Sequence, residues 1–212
     1  MKPSISKYLL AATLACASAA LSAGEVDSFF SAVRRDSDMA VTAALKNLVS
    51  PNVQDAKGNT GLHIALSEGM PTAARVLLEQ PQIDVNAVNK AGESPLMMAA
   101  LRNNVDVART LIERGAAINK SGWTPLHYAV TGGNADIITM LLDKGAQIDA
   151  RSPNGTTPLM MAARYGSTKA VELLLQKGAD PKLTNEQNLT ALDFARQGAR
   201  PDAIKILEKL AQ

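Results

Sequence analysis

The stretch Gly122-Trp-Thr124-Pro-Leu-His127-Tyr-Ala129 decides the fold, because four variants of it recur along the chain. The other copies are Gly58-Asn-Thr60-Gly-Leu-His63-Ile-Ala65, Gly92-Glu-Ser94-Pro-Leu-Met97-Met-Ala99, Gly155-Thr-Thr157-Pro-Leu-Met160-Met-Ala162 and Asn188-Leu-Thr190-Ala-Leu-Asp193-Phe-Ala195. Aligned on the Thr or Ser, the copies are spaced by 34, 30, 33 and 33 residues. Self-similarity at such a period is typical of a solenoid, in which each unit buries its apolar face only against its neighbours.

Each copy has the residues that begin and end a helix. A Thr or Ser side chain caps the first backbone N–H groups, and Pro fits the first helical turn. A second apolar run follows each copy, and three of these runs end at Gly115, Gly145 and Gly178. Glycine is favoured there because the residue after a helix often takes a left-handed conformation. Each unit is therefore predicted to be a pair of helices.

The repeated motif resembles the ankyrin repeat family, and the resemblance covers about residues 27–212. It implies an all-α, ankyrin-repeat solenoid of about six stacked helix pairs with β-hairpin-like finger loops. The resemblance places an N-terminal cap at 25–50, repeats starting near 55, 89, 119 and 152, and a C-terminal capping repeat at 185–212. The N-terminal cap has apolar residues at helical spacing but lacks the motif.

The N-terminus has the pattern of a secretory signal peptide, predicted at 1–23. Lys2 and Lys7 precede an apolar stretch rich in Ala and Leu, and small residues follow it. We expect cleavage after Ala23, or alternatively after Ser22. Lipidation at Cys16 and a retained N-terminal anchor are weaker alternatives. The expected location is periplasmic or secreted, with no membrane span in the mature chain.

The charge of the whole chain misleads about its partners. The 212 residues have a formal net charge of +2 and a pI near 8.7, which suggests a nucleic-acid partner. Removing residues 1–23 takes away two of the 22 Lys and Arg residues and none of the 20 acidic residues. The remaining chain is formally neutral and lacks the cationic excess that drives nucleic-acid binding, so no such partner is expected. It also loses the only cysteine, which excludes a disulfide or a cysteine-based zinc site.

No catalytic or metal-binding constellation is evident. The two histidines, His63 and His127, share one repeat position, where the resemblance implies a structural hydrogen bond between neighbouring turns. There is no Gly-x-Ser-x-Gly motif, phosphate loop or dinucleotide-binding glycine pattern. The sequence therefore predicts no enzyme, no metal and no cofactor.

One finger loop is shorter than the others. In four loops the Gly or Asn before the next motif lies seven positions after the apolar or Pro residue that opens the loop, namely 51–58, 85–92, 148–155 and 181–188. In the third, 118–122, the offset is four, and the loop immediately precedes Trp123, the only tryptophan. A harmless surface deletion would explain it. The functional interpretation is a notch between two full fingers with Trp123 in or beside it.

The resemblance implies a concave groove lined by the residue after each motif glycine and by two residues after the Ala pair. The candidates for partner binding are Glu93, Arg102, Trp123, Tyr128, Thr156, Arg164 and Tyr165, with Asn59, Leu101 and Thr131 in equivalent positions. Trp, Tyr and Arg most often dominate binding energy. For Tyr128 a position facing the core is the alternative, and Met97, Met98, Met160 and Met161 are predicted to fill the core.

The expected function follows from the resemblance. The chain is similar to small exported single-domain ankyrin-repeat proteins of Gram-negative bacteria. That similarity predicts a non-catalytic monomer that binds a partner protein, of unknown identity, through the groove and fingers. The alternative is an inhibitor or immunity-type protein that blocks or protects a partner enzyme. The sequence does not separate the two.

Overall fold

The computed structural model describes residues 22–210, so residues 1–21 of the predicted signal peptide 1–23 lie outside the described part. Twelve α-helices form six consecutive pairs within that range. The pairs are α1 (Ala23–Arg34) with α2 (Asp38–Lys46), α3 (Gly61–Glu68) with α4 (Pro71–Leu78), α5 (Pro95–Leu101) with α6 (Val105–Glu113), α7 (Pro125–Gly132) with α8 (Ala135–Asp143), α9 (Pro158–Tyr165) with α10 (Thr168–Gln176), and α11 (Ala191–Gln197) with α12 (Pro201–Glu208). The predicted all-α solenoid of six helix pairs is confirmed.

The first helix of each motif-bearing pair begins where the sequence predicts. The N-cap residues Thr60, Ser94, Thr124, Thr157 and Thr190 all have extended backbone. In three of these helices proline occupies the first turn. The side chain three residues after each cap bonds back to the cap's backbone N–H, which completes a reciprocal capping box. The shared motif therefore acts as a helix-start signal five times.

The N-terminal pair has the same shape without the motif. Ser22 caps α1 and forms a capping box with Glu25, whose carboxylate accepts hydrogen bonds from the Ser22 N–H and hydroxyl. Phe29 and Val33 are fully buried and pack this pair onto the stack. Cleavage after Ala23 would remove the Ser22 cap but none of this apolar packing.

The helices form two layers. The first helices stack in the order α1, α3, α5, α7, α9 and α11, and most of the second helices contact one another in a parallel outer row. Buried alanines allow the close approach, among them Ala65, Ala99, Ala129 and Ala162. The approach is tightest at Gly166, because a Cβ there would lie 2.4 Å from the Val130 carbonyl oxygen.

A ladder of side-chain amides joins successive repeats. Asn86 donates to the Gly115 carbonyl and accepts from the Ala117 N–H. Asn52 and Asn119 bridge to the following repeat in the same way. Asp149 takes the fourth place, where its carboxylate only accepts, from the Asp180 N–H at 3.2 Å. Burial raises the pKa of the Asp149 carboxyl, and the nearby Asp180 charge acts in the same direction.

Candidate protein-binding surface

The full-length fingers are turns closed by backbone hydrogen bonds. In each, the N–H of the residue at the turn's start donates to the carbonyl of the residue just before the N-cap, at 2.9 to 3.1 Å. These pairs are Asp55 with Asn59, Asn89 with Glu93, Ser152 with Thr156 and Asn185 with Leu189. One isolated bridge, between Gln54 and Thr60, is the β-structure present within residues 22–210. The fingers are therefore tight turns stacked side by side.

The third finger, residues 118–122, interrupts this stack. The Lys90 N–H donates to the Lys57 carbonyl and joins the first two fingers, and the Glu186 N–H joins the last two through the Asn154 carbonyl. No equivalent backbone bond joins the third finger to either neighbour in the described chain. Its Lys120 ammonium donates instead to the Gly92 carbonyl at 3.0 Å. The shortened finger thus leaves a gap, which we call the notch.

Burial along one repeat position shows the effect of the notch. Ile64, Met98 and Phe194 follow their N-caps by four residues and are at most 7% exposed. Tyr128 and Met161 occupy the same position in the third and fourth repeats, but both are only partly buried. Because these two flank the shortened finger, the missing fingertip accounts for their exposure. Tyr128 was predicted either to bind a partner or to face the core. The structure buries it only in part and places it at the cavity.

A cavity of about 250 Å³ lies at the notch. Side chains from α5, α7 and α9, together with Trp123, form its walls. The lining residues are Leu101, Trp123, His127, Tyr128, Thr131 and Met161. Its surface is almost entirely apolar, which suits a partner's apolar side chain or the aliphatic part of a longer one. The structure thus brings the predicted Trp123 and Tyr128 together.

The two histidines have the predicted structural role. In each, Nδ1 accepts from the N–H of the N-cap threonine at 3.2 Å, and Nε2 reaches a carbonyl of the next repeat at 3.0 Å. Those carbonyls belong to Glu93 for His63 and to Thr156 for His127. Burial lowers the pKa of His63, and it lowers the pKa of His127 to about 4. Both rings are therefore neutral at pH 7 and donate through Nε2.

Trp123 is held against one of these rings. The indole and the His127 imidazole have centroids 5.2 Å apart and cross at 80°. Such edge-to-face contacts are favourable for aromatic pairs. Because His127 is itself fixed by hydrogen bonds at both nitrogens, it holds the Trp123 indole as a wall of the cavity.

Glu93 does not line this cavity but bonds to Tyr128, one of its walls. The Tyr128 hydroxyl donates to Glu93 Oε1 at 2.9 Å, and the Asn89 amide donates to Oε2 at 2.8 Å. Burial raises the pKa of the Tyr128 hydroxyl, and the hydrogen bond to Glu93 and its charge act in the same direction. No Lys or Arg in residues 22–210 forms an ion pair with this carboxylate. Glu93 is thus a half-buried negative charge held by neutral donors.

The remaining candidates lie farther from the cavity. Arg102, at the end of α5, donates to the Ser67 carbonyl of the preceding repeat. The Arg164 guanidinium donates to Gln197 at 3.0 Å and lies 5.1 Å from the centroid of the half-exposed Tyr165 ring. The guanidinium groups of both arginines therefore bond to residues of neighbouring repeats that do not line the cavity.

Thr156 does not line the groove, contrary to the expectation. It is 2% exposed, its N–H donates to Ser152 Oγ, and its carbonyl accepts from His127. The same position is partly exposed in the other repeats, at Asn59, Glu93, Trp123 and Leu189, after full-length and shortened fingers alike.

Met161 and His127 are the wall residues that sequence reasoning assigned to other roles. Both fit a core pattern, because methionine and histidine recur at buried positions of the motif. The signal that could have identified Met161 is its place one repeat after the shortened finger, in the same repeat position as Tyr128.

The described residues show no further constellation for chemistry. Among residues 22–210 there is no group of three or more His, Cys, Asp or Glu side chains that could hold a metal ion. In the same range, no helix has the length and apolar character needed to cross a bilayer.

The family of the chain follows from the repeats and is shown by comparison with family models. Two family models described as ankyrin repeats match the chain. The first matches residues 29–121 and 80–152, and the second matches residues 141–195. The chain therefore belongs to the ankyrin repeat family. Ankyrin repeats are non-catalytic modules that mediate protein–protein interaction.

A solved structure resembles almost the whole chain. It is a chain of the complex between the Bd0816 predatory endopeptidase from Bdellovibrio bacteriovorus and the immunity protein Bd3460. The similarity has a TM-score of 0.72 and 30% sequence identity, and it covers 86% of this chain and 97% of that one.

Curated relatives match over shorter segments. Alpha-latrocrustotoxin-Lt1a from Latrodectus tredecimguttatus is 38% identical over 72 residues, which are 34% of this chain. A mimivirus protein named for its ankyrin repeats, from Acanthamoeba polyphaga mimivirus, is 40% identical over 55 residues, 26% of this chain. The matched segments span only 5% of each relative's length.

Proposed function

We propose that this protein binds a partner protein through its concave groove, with the notch at residues 118–122 at the centre of the contact. The observation that carries the proposal is the apolar cavity walled by Trp123 and Tyr128, which the shortened finger leaves open. Exposed apolar surface in a concave site is typical of a binding site, and tryptophan and tyrosine are frequent anchors of interfaces. The partner is held by shape and charge, without a chemical step.

The proposed location is the periplasm or the exterior of a Gram-negative bacterium. Support comes from the signal-peptide pattern of residues 1–23 and from the absence of cysteine after Cys16. Mass spectrometry of exported protein should find the mature N-terminus at Gly24 or Ala23. A mature chain that begins with a lipidated Cys16 would contradict this.

Affinity capture from a periplasmic fraction tests the binding proposal. The double variant Trp123→Ala with Arg164→Ala should capture at least about tenfold less partner than the wild type, since truncating interface anchors costs upwards of 1 kcal/mol each. The control is Arg109→Ala with Glu172→Ala, which removes two exposed charges from the outer helices α6 and α10. Equal capture by both double variants would exclude the groove. Helical circular dichroism must be the same for all three proteins.

A second candidate is that binding inhibits a partner enzyme, specifically a peptidase. It is favoured by the likeness of nearly the whole chain to a chain in a complex of an endopeptidase with an immunity protein. An inhibitor of this kind would cover the partner's active-site cleft with its groove and fingers.

Assaying the captured partner separates inhibition from tethering. If the protein is an inhibitor, adding it in stoichiometric amounts should abolish peptide hydrolysis by the partner. The Trp123→Ala variant should then require a higher concentration for the same effect. A partner that stays fully active in the complex would identify the chain as a tethering module.

A further inference from the structure

The residues that line the notch cavity form an almost entirely apolar surface, but a carboxylate lies next to one of them. Leu101, Met161 and the aromatic rings form an apolar wall. Glu93 Oε1 lies 2.9 Å from the Tyr128 hydroxyl oxygen. Tyr128 connects the wall to the carboxylate, because its ring lines the cavity and its hydroxyl bonds to Glu93. A side chain that fills the cavity along the Tyr128 ring therefore approaches a carboxylate at the ring's end.

The Glu93 carboxylate forms no ion pair with a Lys or Arg of residues 22–210. Its two hydrogen-bond donors, Tyr128 and Asn89, are neutral. A carboxylate has about four acceptor sites, so two remain after these bonds. The Lys120 ammonium bonds to the carbonyl of the adjacent Gly92 rather than to the carboxylate.

The cavity contains no positive charge of its own. Two of the lining residues, His127 and Tyr128, have ionisable side chains. Of these only His127 could become positive, and it is neutral at pH 7 because burial lowers its pKa to about 4. Arg102 and Arg164 are bonded to neighbouring repeats, away from the cavity. A cation that enters from outside therefore meets an apolar wall, the aromatic side chains of Trp123 and Tyr128, and the nearby Glu93 carboxylate.

We propose that this cavity receives an arginine side chain from the partner protein, with its aliphatic stem against Leu101 and Met161 and its guanidinium between Trp123 and Glu93. This inference rests on the proposed function and specifies the chemistry of the partner at the notch. Arginine combines a long apolar stem with a planar cation that stacks on indole and donates to a carboxylate. A leucine or phenylalanine would fill the apolar wall but leave Glu93 without a counter-charge. A lysine would supply the charge but not the planar stacking.

The test uses Trp123, the only tryptophan, as the reporter of the cavity. Blocked tripeptides Gly-Arg-Gly, Gly-citrulline-Gly and Gly-norleucine-Gly are titrated into the protein while its fluorescence is recorded. Citrulline has nearly the shape of arginine without the charge. We expect the arginine peptide to bind about tenfold more tightly than either neutral peptide, in keeping with the strength of hydrogen bonds to charged groups.

Two variants connect this preference to one carboxylate. Glu93→Gln keeps the size of the side chain and should remove the preference for arginine. Glu186→Gln removes the same charge from an exposed position on the fifth finger and should leave the preference intact. The inference is overturned if norleucine binds as tightly as arginine, if Glu93→Gln has no effect, or if no peptide changes the fluorescence up to its solubility limit.

The outcome is independent of the capture experiment. Normal capture with no arginine preference would refute the arginine site and leave the proposed function intact. Capture unaffected by Trp123→Ala with Arg164→Ala would refute the groove as the binding surface, whatever the tripeptides show.

Discussion

Individual side chains connect each repeat of this protein to the next. His127 is an example, because its Nε2 donates to the Thr156 carbonyl of the next repeat while its Nδ1 accepts from the Thr124 N–H of its own repeat. Protonation would place a second N–H at Nδ1, directly against the Thr124 N–H. The neutral ring is therefore favoured at this position, in agreement with its lowered pKa.

The histidines should therefore make stability depend on pH. A pKa that is lower in the folded state gives stability that is complete above the unfolded value of 6.5 and lost as the pH falls through the folded value. For His127 the loss falls between pH 6.5 and about 4 and amounts to roughly 3 kcal/mol in the free energy of unfolding.

His127→Met tests this with a residue that the chain already has at the same position of two other repeats. At pH 7 the variant should be about 1 kcal/mol less stable, because it loses the hydrogen bond to Thr156. Its free energy of unfolding should fall less steeply than that of the wild type below pH 6.5. Urea denaturation at a series of pH values measures both, and parallel pH profiles would refute the assignment.

At the scale of elements, the turns before the motifs are joined by the amide ladder. Asn52, Asn86 and Asn119 each donate to one backbone group of the next turn and accept from another. Asp149 accepts only, and its carboxylate lies near the charge of Asp180. The junction between the fourth and fifth repeats therefore lacks a donor that the three preceding junctions have.

Asp149→Asn should restore that donor, to the carbonyl of Gly178, which is equivalent in register to those of Gly115 and Gly145. We expect the free energy of unfolding to rise by about 0.5–1.5 kcal/mol at pH 7, the net value of one hydrogen bond. Thermal and urea denaturation measure the change. The reciprocal control, Asn119→Asp, should lower stability by a similar amount.

The effect of Asp149→Asn should depend on pH in a defined direction. Because the folded-state pKa of Asp149 is raised, the stability due to its protonation is complete below the ordinary aspartate pKa of 3.8 and lost as the pH rises through the folded value. The advantage of the variant should therefore shrink as the pH falls toward 3.8. A gain that grows in acid would contradict this account.

At the scale of the whole molecule, stability is a sum over neighbouring repeats. Each first helix contacts the first helices before and after it, and the terminal helices have a neighbour on one side within the described residues. Such stacks unfold from their weakest contacts, and terminal units open before central ones.

Two buried leucines should show this difference. Leu126→Ala, in α7 at the centre of the stack, should lower the free energy of unfolding by about 3 kcal/mol, because Leu126 is fully buried between two neighbouring repeats.

Leu207→Ala, in α12, removes a side chain that is 2% exposed and should mainly loosen the last helix pair. Hydrogen exchange should accelerate at Phe194 and Ala195 in Leu207→Ala while α3 to α9 keep their protection. Equal acceleration along the whole chain would mean that the stack unfolds as one cooperative unit.

Most of the fold was predictable from the sequence, but only part of the site was. The five Thr or Ser caps and the period near 33 identify the helix pairs, because capping and apolar spacing are local properties. The length of the third finger and the position of Trp123 likewise pointed to the notch. Thr156 was misassigned because its position is partly exposed in the other repeats, whereas tertiary packing buries this one side chain. Met161 was assigned to the core because its motif position is buried in other repeats.

The sequence by itself determined the helix pairs, their number, the structural histidines and the one shortened finger. Each of these depends on a few neighbouring residues and on a period that repeats. Only the tertiary structure decided which side chains enclose the cavity and which carboxylate lies beside it. The reason is that the cavity is formed between three repeats, and the contact of Tyr128 with Glu93 joins residues 35 positions apart. Stacking of the repeats, rather than local spacing, produces that contact.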